Sequence, residues 1–300
     1  MLIKKLKIDN FKGITSTEFC PKKINLIVGK NNTGKTSILE AIYSVFNTNH
    51  IRQYYDKDPS YIIHTGAEYS EIVAETDINR KEIKILNPYK RNSLNENIIS
   101  SFIKTDNLNE EQVFLIKNLL NMNFKPEEKN IETRKKIKNI ESIIKEFNLI
   151  ENLKEFDFDY ITIEDNEKLT FIPFEFLGNG SKTFINLLWC LSSQNIKNKI
   201  VLIDNPEIYL HPCYIDKLVK ILIKFSEELN IQFFITTHSN DFIYSLFDIY
   251  CLTPQEQKYL QNELSVILTS KINNCSIFEY LDYDKAKHTN NELLFDLRGF

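Results

Sequence analysis

Gly29-Lys30-Asn31-Asn32-Thr33-Gly34-Lys35-Thr36 is the stretch that decides the fold. It fits G-x-x-x-x-G-K-[ST], a loop whose backbone N–H groups surround phosphate oxygens. Its flanks agree with that reading. Ile24-Asn25-Leu26-Ile27-Val28 predicts a short buried strand before it. Ser37-Ile38-Leu39-Glu40-Ala41-Ile42 opens a helix of apolar periodicity after it. A helix N-terminus carries unpaired N–H groups and the positive end of the dipole, so phosphates are stabilised there. Glycines let the backbone come close to them. Lys35 is placed to reach the β and γ phosphates and the Thr36 hydroxyl to hold Mg²⁺. Residues 29–37 are therefore the nucleotide-binding candidates: Gly29, Lys30, Asn31, Asn32, Thr33, Gly34, Lys35, Thr36 and Ser37.

Composition narrows the class. A chain of 300 residues, 42% hydrophobic and 26% charged, can bury a substantial core. No apolar run approaches the length of a membrane span. The N-terminus alternates like a strand instead of carrying the long apolar core of a leader. The five cysteines show no C-x-x-C spacing, which points to reduced thiols and a cytoplasmic location. A net charge of −4 argues against a generic nucleic-acid coat while leaving room for a local basic patch.

Glycine is scarce, seven in all, and four of them fall in two short segments. The second segment is Leu177-Gly178-Asn179-Gly180-Ser181-Lys182, which leads into the apolar run from Phe184. It reads either as another anion-ready helix start or as a plain capping turn. Lys199 to Asp204 is a buried strand ending in an acid, and Asn205-Pro206-Glu207-Ile208-Tyr209-Leu210-His211-Pro212 follows. A carboxylate at the end of such a strand, beside a phosphate loop, is where Mg²⁺ is held. Ile231 to Ile235 is a further buried strand, ending in Thr236-Thr237-His238-Ser239. His238 at that edge is a candidate γ-phosphate sensor.

In order and spacing these segments resemble the ABC-type ATPases of the SMC/RecF/OLD group, and among them the small AAA-labelled ATPases of defence islands. Asn10-Phe11-Lys12-Gly13-Ile14, the phosphate loop, Leu177–Gly180, Pro206–Pro212 and Thr236–Ser239 carry the likeness, over about residues 1–48 and 170–245. The resemblance implies an α/β P-loop NTPase: a mixed or parallel sheet flanked by helices, with an antiparallel β subdomain and a short helical insertion. It implies ATP and Mg²⁺ as cofactors, with Thr36 and Asp204 as the metal-side residues. It further implies head-to-tail dimers, alone or within a larger ring of dimers. In these, Leu177, Gly178, Asn179, Gly180 and Ser181 of one copy close over the phosphate loop of the other, and His211 lies near the seam. Relatives usually read D-E-P-E, and here Asn205 stands where the presumed catalytic glutamate would be. An amide orients water but cannot take its proton. Either hydrolysis is slow, or Glu207 supplies the carboxylate. Asn205, Glu207 and His238 are thus the catalytic candidates.

The remaining chain carries no motif of that group. Residues 50–169 read as an insertion into a core made of 1–49 and 170–300. Ser70–Thr76 and Lys81–Leu86 alternate like antiparallel strands, of the kind that form a second sheet beside the nucleotide in the resembling proteins. Glu110 to Leu153 reads as mostly helical, with Ile137, Ile140, Ile144 and Phe147 on one face. The run Arg134-Lys135-Lys136 with Lys138 is either a solvated helix face or a nucleic-acid contact. Asn92–Asn97 and Lys125–Asn130 read as loops, and Gln53 is either a residue linking the nucleotide to the helical part or packing surface. Pro254–Glu263 predicts a helix, with strands near Leu264–Leu268 and Ser276–Leu281. That tail is too short for the nuclease domain that OLD-type relatives carry. The expected activity is therefore an ATP-driven switch that assembles with itself and controls a separate effector, such as a nuclease in anti-phage defence. A DNA-repair or chromosome-maintenance ATPase that binds DNA directly is the alternative.

Overall fold

Strands that are apolar at nearly every position need cover on both faces, and the sheet of this protein supplies it. A computed structural model describes residues 1–47, 50–51, 62–87, 113–117, 130–192, 196–248, 250–273 and 275–292. In chain order the first elements are β1 (Ile3–Phe11), β2 (Ile14–Phe19), β3 (Ile24–Gly29), α1 (Lys35–Phe46), β4 (Tyr69–Thr76), β5 (Arg80–Leu86) and β6 (Val113–Ile116). Then come α2 (Ile131–Glu146), β7 (Leu153–Phe156), β8 (Tyr160–Asp165), β9 (Lys168–Pro173), α3 (Asn179–Leu191), β10 (Ile200–Asp204) and α4 (Pro212–Glu228). The last are β11 (Gln232–Thr237), α5 (Asn240–Phe247), α6 (Pro254–Glu263), β12 (Leu264–Ile272), β13 (Cys275–Asp282) and α7 (Tyr283–Lys287).

Ten strands form one mixed sheet in the order β5-β4-β1-β2-β13-β12-β3-β11-β10-β6. From β12 to β6 every neighbour is parallel. From β5 to β2 every neighbour is antiparallel. The two parts meet at one backbone pair, Ser276 with Ile14, where the Ser276 N–H also donates to the Gly13 carbonyl at 2.9 Å. The period of two along each parallel strand sorts its side chains into two cores. Leu26, Val28, Val201, Ile203, Phe233 and Ile235 pack on the face covered by α2, α3, α4 and α5. Ile27, Leu202, Phe234 and Ile267 pack on the opposite face, with Ile38, Leu39 and Ile42 of α1. The expected strands at 70–76 and 81–86 are β4 and β5, and they continue this sheet instead of forming a separate one. A small antiparallel sheet, β7-β8-β9, stands apart from it.

The helical reading of Glu110–Leu153 needs correction. Val113–Ile116 is a strand, paired in parallel with β10 from Ile200 to Ile203. A four-residue apolar run cannot be assigned by periodicity, and here the sheet edge decided. Among the described residues of this stretch the helix is Ile131–Glu146. Asn130 accepts from the Thr133 N–H to start it, and Ile137, Ile140, Ile143 and Ile144 form its buried face. Phe147 caps its end, partly buried against the core. In the basic run, Arg134, Lys135 and Lys138 are exposed, whereas the Lys136 ammonium sits 3.7 Å over the Trp189 ring of α3. Asn92–Asn97, residues 125–129 and Gln53 lie outside the described residues.

Candidate functional site

β3 delivers the phosphate loop and α1 receives it. Gly29 has φ 154°, and a Cβ there would stand 2.2 Å from both the carbonyl and the hydroxyl of Thr269. Gly34 caps α1 at φ 105°, with Ser276 Oγ 2.7 Å from where its Cβ would be. Only glycine fits either place. The Lys35 ammonium folds back to donate to the carbonyls of Gly29 (2.9 Å) and Lys30 (2.7 Å). Burial pushes its pKa down to about 8, against Asp204 and Glu207, whose charges favour protonation. The Thr33 hydroxyl donates to the Lys30 carbonyl at 2.8 Å and approaches Thr269 Oγ1 to 2.5 Å.

The parallel register of β10 and β11 sets Asp204 against Thr236. Asp204 accepts from Thr236 Oγ1 at 2.6 Å, from Asn205 Nδ2 at 3.2 Å, and from Thr36 Oγ1 at 3.3 Å to Oδ1 and 3.4 Å to Oδ2. Two oxygens at adjacent corners of a Mg²⁺ octahedron, each about 2.1 Å from the ion, lie about 3 Å apart, so the long Thr36–Asp204 approach fits a shared Mg²⁺. Asn205 sits in the left-handed region at φ 50°, and its N–H donates to Thr236 Oγ1 at 3.0 Å. Its Oδ1 is buried and has no partner. An orphaned amide oxygen beside the phosphate loop fits a bound water or metal-ligand shell.

A cavity of about 570 Å³ joins these parts. Asn31, Asn32, Gly34, Lys35, Thr36 and Ser37 line it from the loop side, and Asn205 and His238 from the strand ends. Gly13, Lys271 and Ser276 close its third wall. Glu207 does not line it. Its Oε1 accepts from Thr237 Oγ1 at 2.5 Å and from the His238 N–H at 3.1 Å, while Oε2 is buried without a partner. Burial pushes the Glu207 carboxyl up, against these hydrogen bonds.

The Gly178 segment sits elsewhere. α3 begins at Asn179 with Gly178 as its N-cap and no side-chain cap bond. A Cβ on Gly180 would meet the Tyr209 carbonyl at 2.9 Å, so the acidic loop packs directly over this helix start. Leu177 is partly buried against the core. None of Leu177, Gly178, Asn179, Gly180 and Ser181 lines the cavity. His211 caps α4, its Nδ1 accepting from the Cys213 N–H at 3.4 Å. Phe176, Ile208 and Tyr209 surround these turns with 78%, 50% and 58% of their surface exposed.

Three features were not assigned from sequence. Thr236 shares Asp204, and its place in the Thr-Thr-His-Ser run was the available signal. Thr269 braces the loop from a strand with no motif. Glu40 of α1 is clasped by Lys12 and by Lys117, the latter at 3.1 Å. Burial pushes the Glu40 carboxyl up, but Lys12 and Lys117 outweigh it and hold it below the usual range.

A phosphate loop and a histidine on one cavity, with a strand-end aspartate set against Thr36 of that loop, make this a P-loop ATPase of the ABC type, in the SMC/RecF group. Residues 79–243, more than half of the chain, match the family described as "AAA domain, putative AbiEii toxin, Type IV TA system", and the chain belongs to it. The fold is that of SMC heads. The SmcHead bound to the C-winged helix domain of ScpA superposes with a TM-score of 0.60 at 16% identity, over 95% of this chain and 99% of that one. The Smc head domain with an extended coiled coil, bound to the C-terminal domain of ScpA derived from Pyrococcus furiosus, gives 0.57 at 14% identity, over 98% and 99%. The DNA replication and repair protein RecF of Francisella tularensis subsp. novicida (strain U112) is 40% identical over 96 residues, 32% of this chain. The chain spans about a quarter of the length of the curated relatives it matches, 26%. No helix among the described residues is long and apolar enough to cross a membrane.

Proposed function

We propose that the protein is a slow ATP-driven switch, two copies of which close head to tail around ATP and Mg²⁺ and thereby control a separate effector. The observation that carries this reading is the separation of the two anion-ready helix starts. The α1 start lines the cavity, and the α3 start does not. A second copy whose Gly178–Ser181 turn covers the first copy's loop would complete the site. The exposed Phe176, Ile208 and Tyr209 around that turn supply apolar area for such a contact. ATP bridging two copies shifts the assembly equilibrium by its preference for the closed form. Mass measurement of the purified chain with and without MgATP tests this, and a strictly monomeric chain at saturating ATP would overturn it.

In this reading Lys35 and the loop amides bind the phosphates, Thr36 and Asp204 hold Mg²⁺, and the metal neutralises charge developing on the transferred phosphoryl group. Asn205 orients the water and leaves its proton without a strong base. Glu207 is turned to the Thr237 hydroxyl and the His238 N–H, so its role is to hold the switch, not to accept the proton. Single-turnover hydrolysis should rise in Asn205→Glu, by tenfold or more on the scale of general-base catalysis. No increase would sink the idea of an impaired base. In this reading the effector is a separate protein, a nuclease of anti-phage defence.

The RecF similarity favours a second reading, a repair or chromosome-maintenance ATPase that binds DNA itself. Salt-dependent DNA affinity that rises with ATP would decide for it.

A further inference from the structure

The third wall of the cavity is built by the C-terminal hairpin, which belongs to none of the motifs above. β12 runs beside β3 in parallel from Leu264 against Ile24 to Thr269 against Gly29, so six consecutive pairs fix where its end points. Beyond Thr269 the strand continues past the phosphate loop. There Lys271 pairs in register with Ser276 of β13, and both line the cavity. The period of two places Thr269, Lys271, Ser276 and Phe278 on one face of the hairpin. The other three already touch the loop region. Thr269 packs on Gly29 and Thr33, and Ser276 and Phe278 stand against Gly34. The Ser276 N–H is tied to the Gly13 carbonyl at 2.9 Å. Lys271 is the member of this face that points a charge at the cavity.

The charge has no protein counterpart there. The residues lining the cavity include two lysines, Lys35 and Lys271, and no carboxylate. Among the described residues Lys271 takes part in no ion pair or side-chain hydrogen bond. Lys271 thus adds a second positive charge to the wall of this space, and a polyanion bound there would be attracted by both lysines. An ammonium donates hydrogen bonds and accepts none, so the part of a nucleotide that matches it is its phosphate chain.

We propose that Lys271 is a second cationic contact to the phosphate chain of the bound nucleotide, delivered by the β12–β13 hairpin across the cavity from Lys35. This rests on the nucleotide reading of the cavity and adds to it a residue that lies outside every sequence motif. Lys271 is exposed, so its replacement is expected to leave folding intact.

Calorimetric titration with MgATP, on the wild-type chain and on Lys271→Gln, Lys271→Glu and Lys271→Arg, tests it at several salt concentrations. Lys271→Gln should weaken binding by about three- to tenfold, the range for a partly exposed charge-assisted contact. Lys271→Glu should lose more, and Lys271→Arg should stay within about twofold of wild type because it keeps the charge. The salt dependence of the affinity should flatten in Lys271→Gln, with melting temperature unchanged, a pattern that a merely structural role would not produce. Wild-type affinity and salt dependence in both Lys271→Gln and Lys271→Glu would overturn the proposal while leaving the nucleotide site standing. A wild-type chain that binds no MgATP would overturn both.

Discussion

At the scale of single residues, two positions carry sharp expectations. Gly29 is hemmed in by Thr269, whose carbonyl and hydroxyl both lie 2.2 Å from the place a Cβ would take. Gly29→Ala should therefore destabilise the protein by about 2 kcal/mol or more, read as a drop in thermal midpoint together with loss of nucleotide binding. The motif already named this glycine, but the strand that makes it obligatory comes from the far end of the chain. Glu40 is the opposite case, an ordinary helix residue by sequence. Held between Lys12 and Lys117, its carboxyl is depressed in the folded protein. Its stabilising effect is thus present above the unfolded carboxylate pKa and is lost as pH falls through the lower folded value. Glu40→Gln should cost about 1–2 kcal/mol near neutral pH. The gap to wild type should close in melts taken at progressively lower pH, below about 4.5. A gap independent of pH would show that packing, not charge, is what the substitution removes.

At the scale of elements, periodicity was a good guide where an element is long and two-faced. Ile137, Ile140 and Ile144 were legible as one face of α2, and all are buried. Ile140 is fully buried, so Ile140→Ala should cost about 2–4 kcal/mol in chemical denaturation, whereas Arg134→Ala on the exposed face should cost under about 0.5. Val113–Ile116 was not legible. Four apolar residues fit a helix or a strand equally, and only the free edge of β10 chose between them. Pro254–Glu263 was readable because its signals are local: Thr253 and Glu256 form a reciprocal capping box at its start. The same contrast holds for the Gly178 segment. Its helix start could be foreseen, but not the Tyr209 carbonyl that excludes a side chain at Gly180.

At the scale of the whole molecule, the sheet is two pieces joined at Ser276 and Ile14, and the cavity straddles the join, with Gly13 and Ser276 on its wall. A nucleotide there would contact both pieces. Binding should therefore protect the backbone amides of β2 and β13 near this seam from hydrogen exchange, as well as those of the phosphate loop. Protection confined to residues 29–37 would mean that the seam does not sense the ligand. The SMC-head architecture and the match at residues 79–243 agree with the class inferred from the motifs.

The sequence by itself determined the chemistry that consecutive residues can encode: a phosphate loop between strand and helix, an aspartate and a histidine at strand ends, and an asparagine where a base is expected. Each depends on spacing over fewer than about a dozen residues, within one turn and its flanking elements. Tertiary structure alone decided which distant groups meet them. Thr33 touches Thr269 across 236 positions, Thr36 reaches Asp204 across 168, and Lys117 reaches Glu40 across 77. Those meetings follow from strand order and register, which are set by the burial of both sheet faces together. No local pattern contains that information.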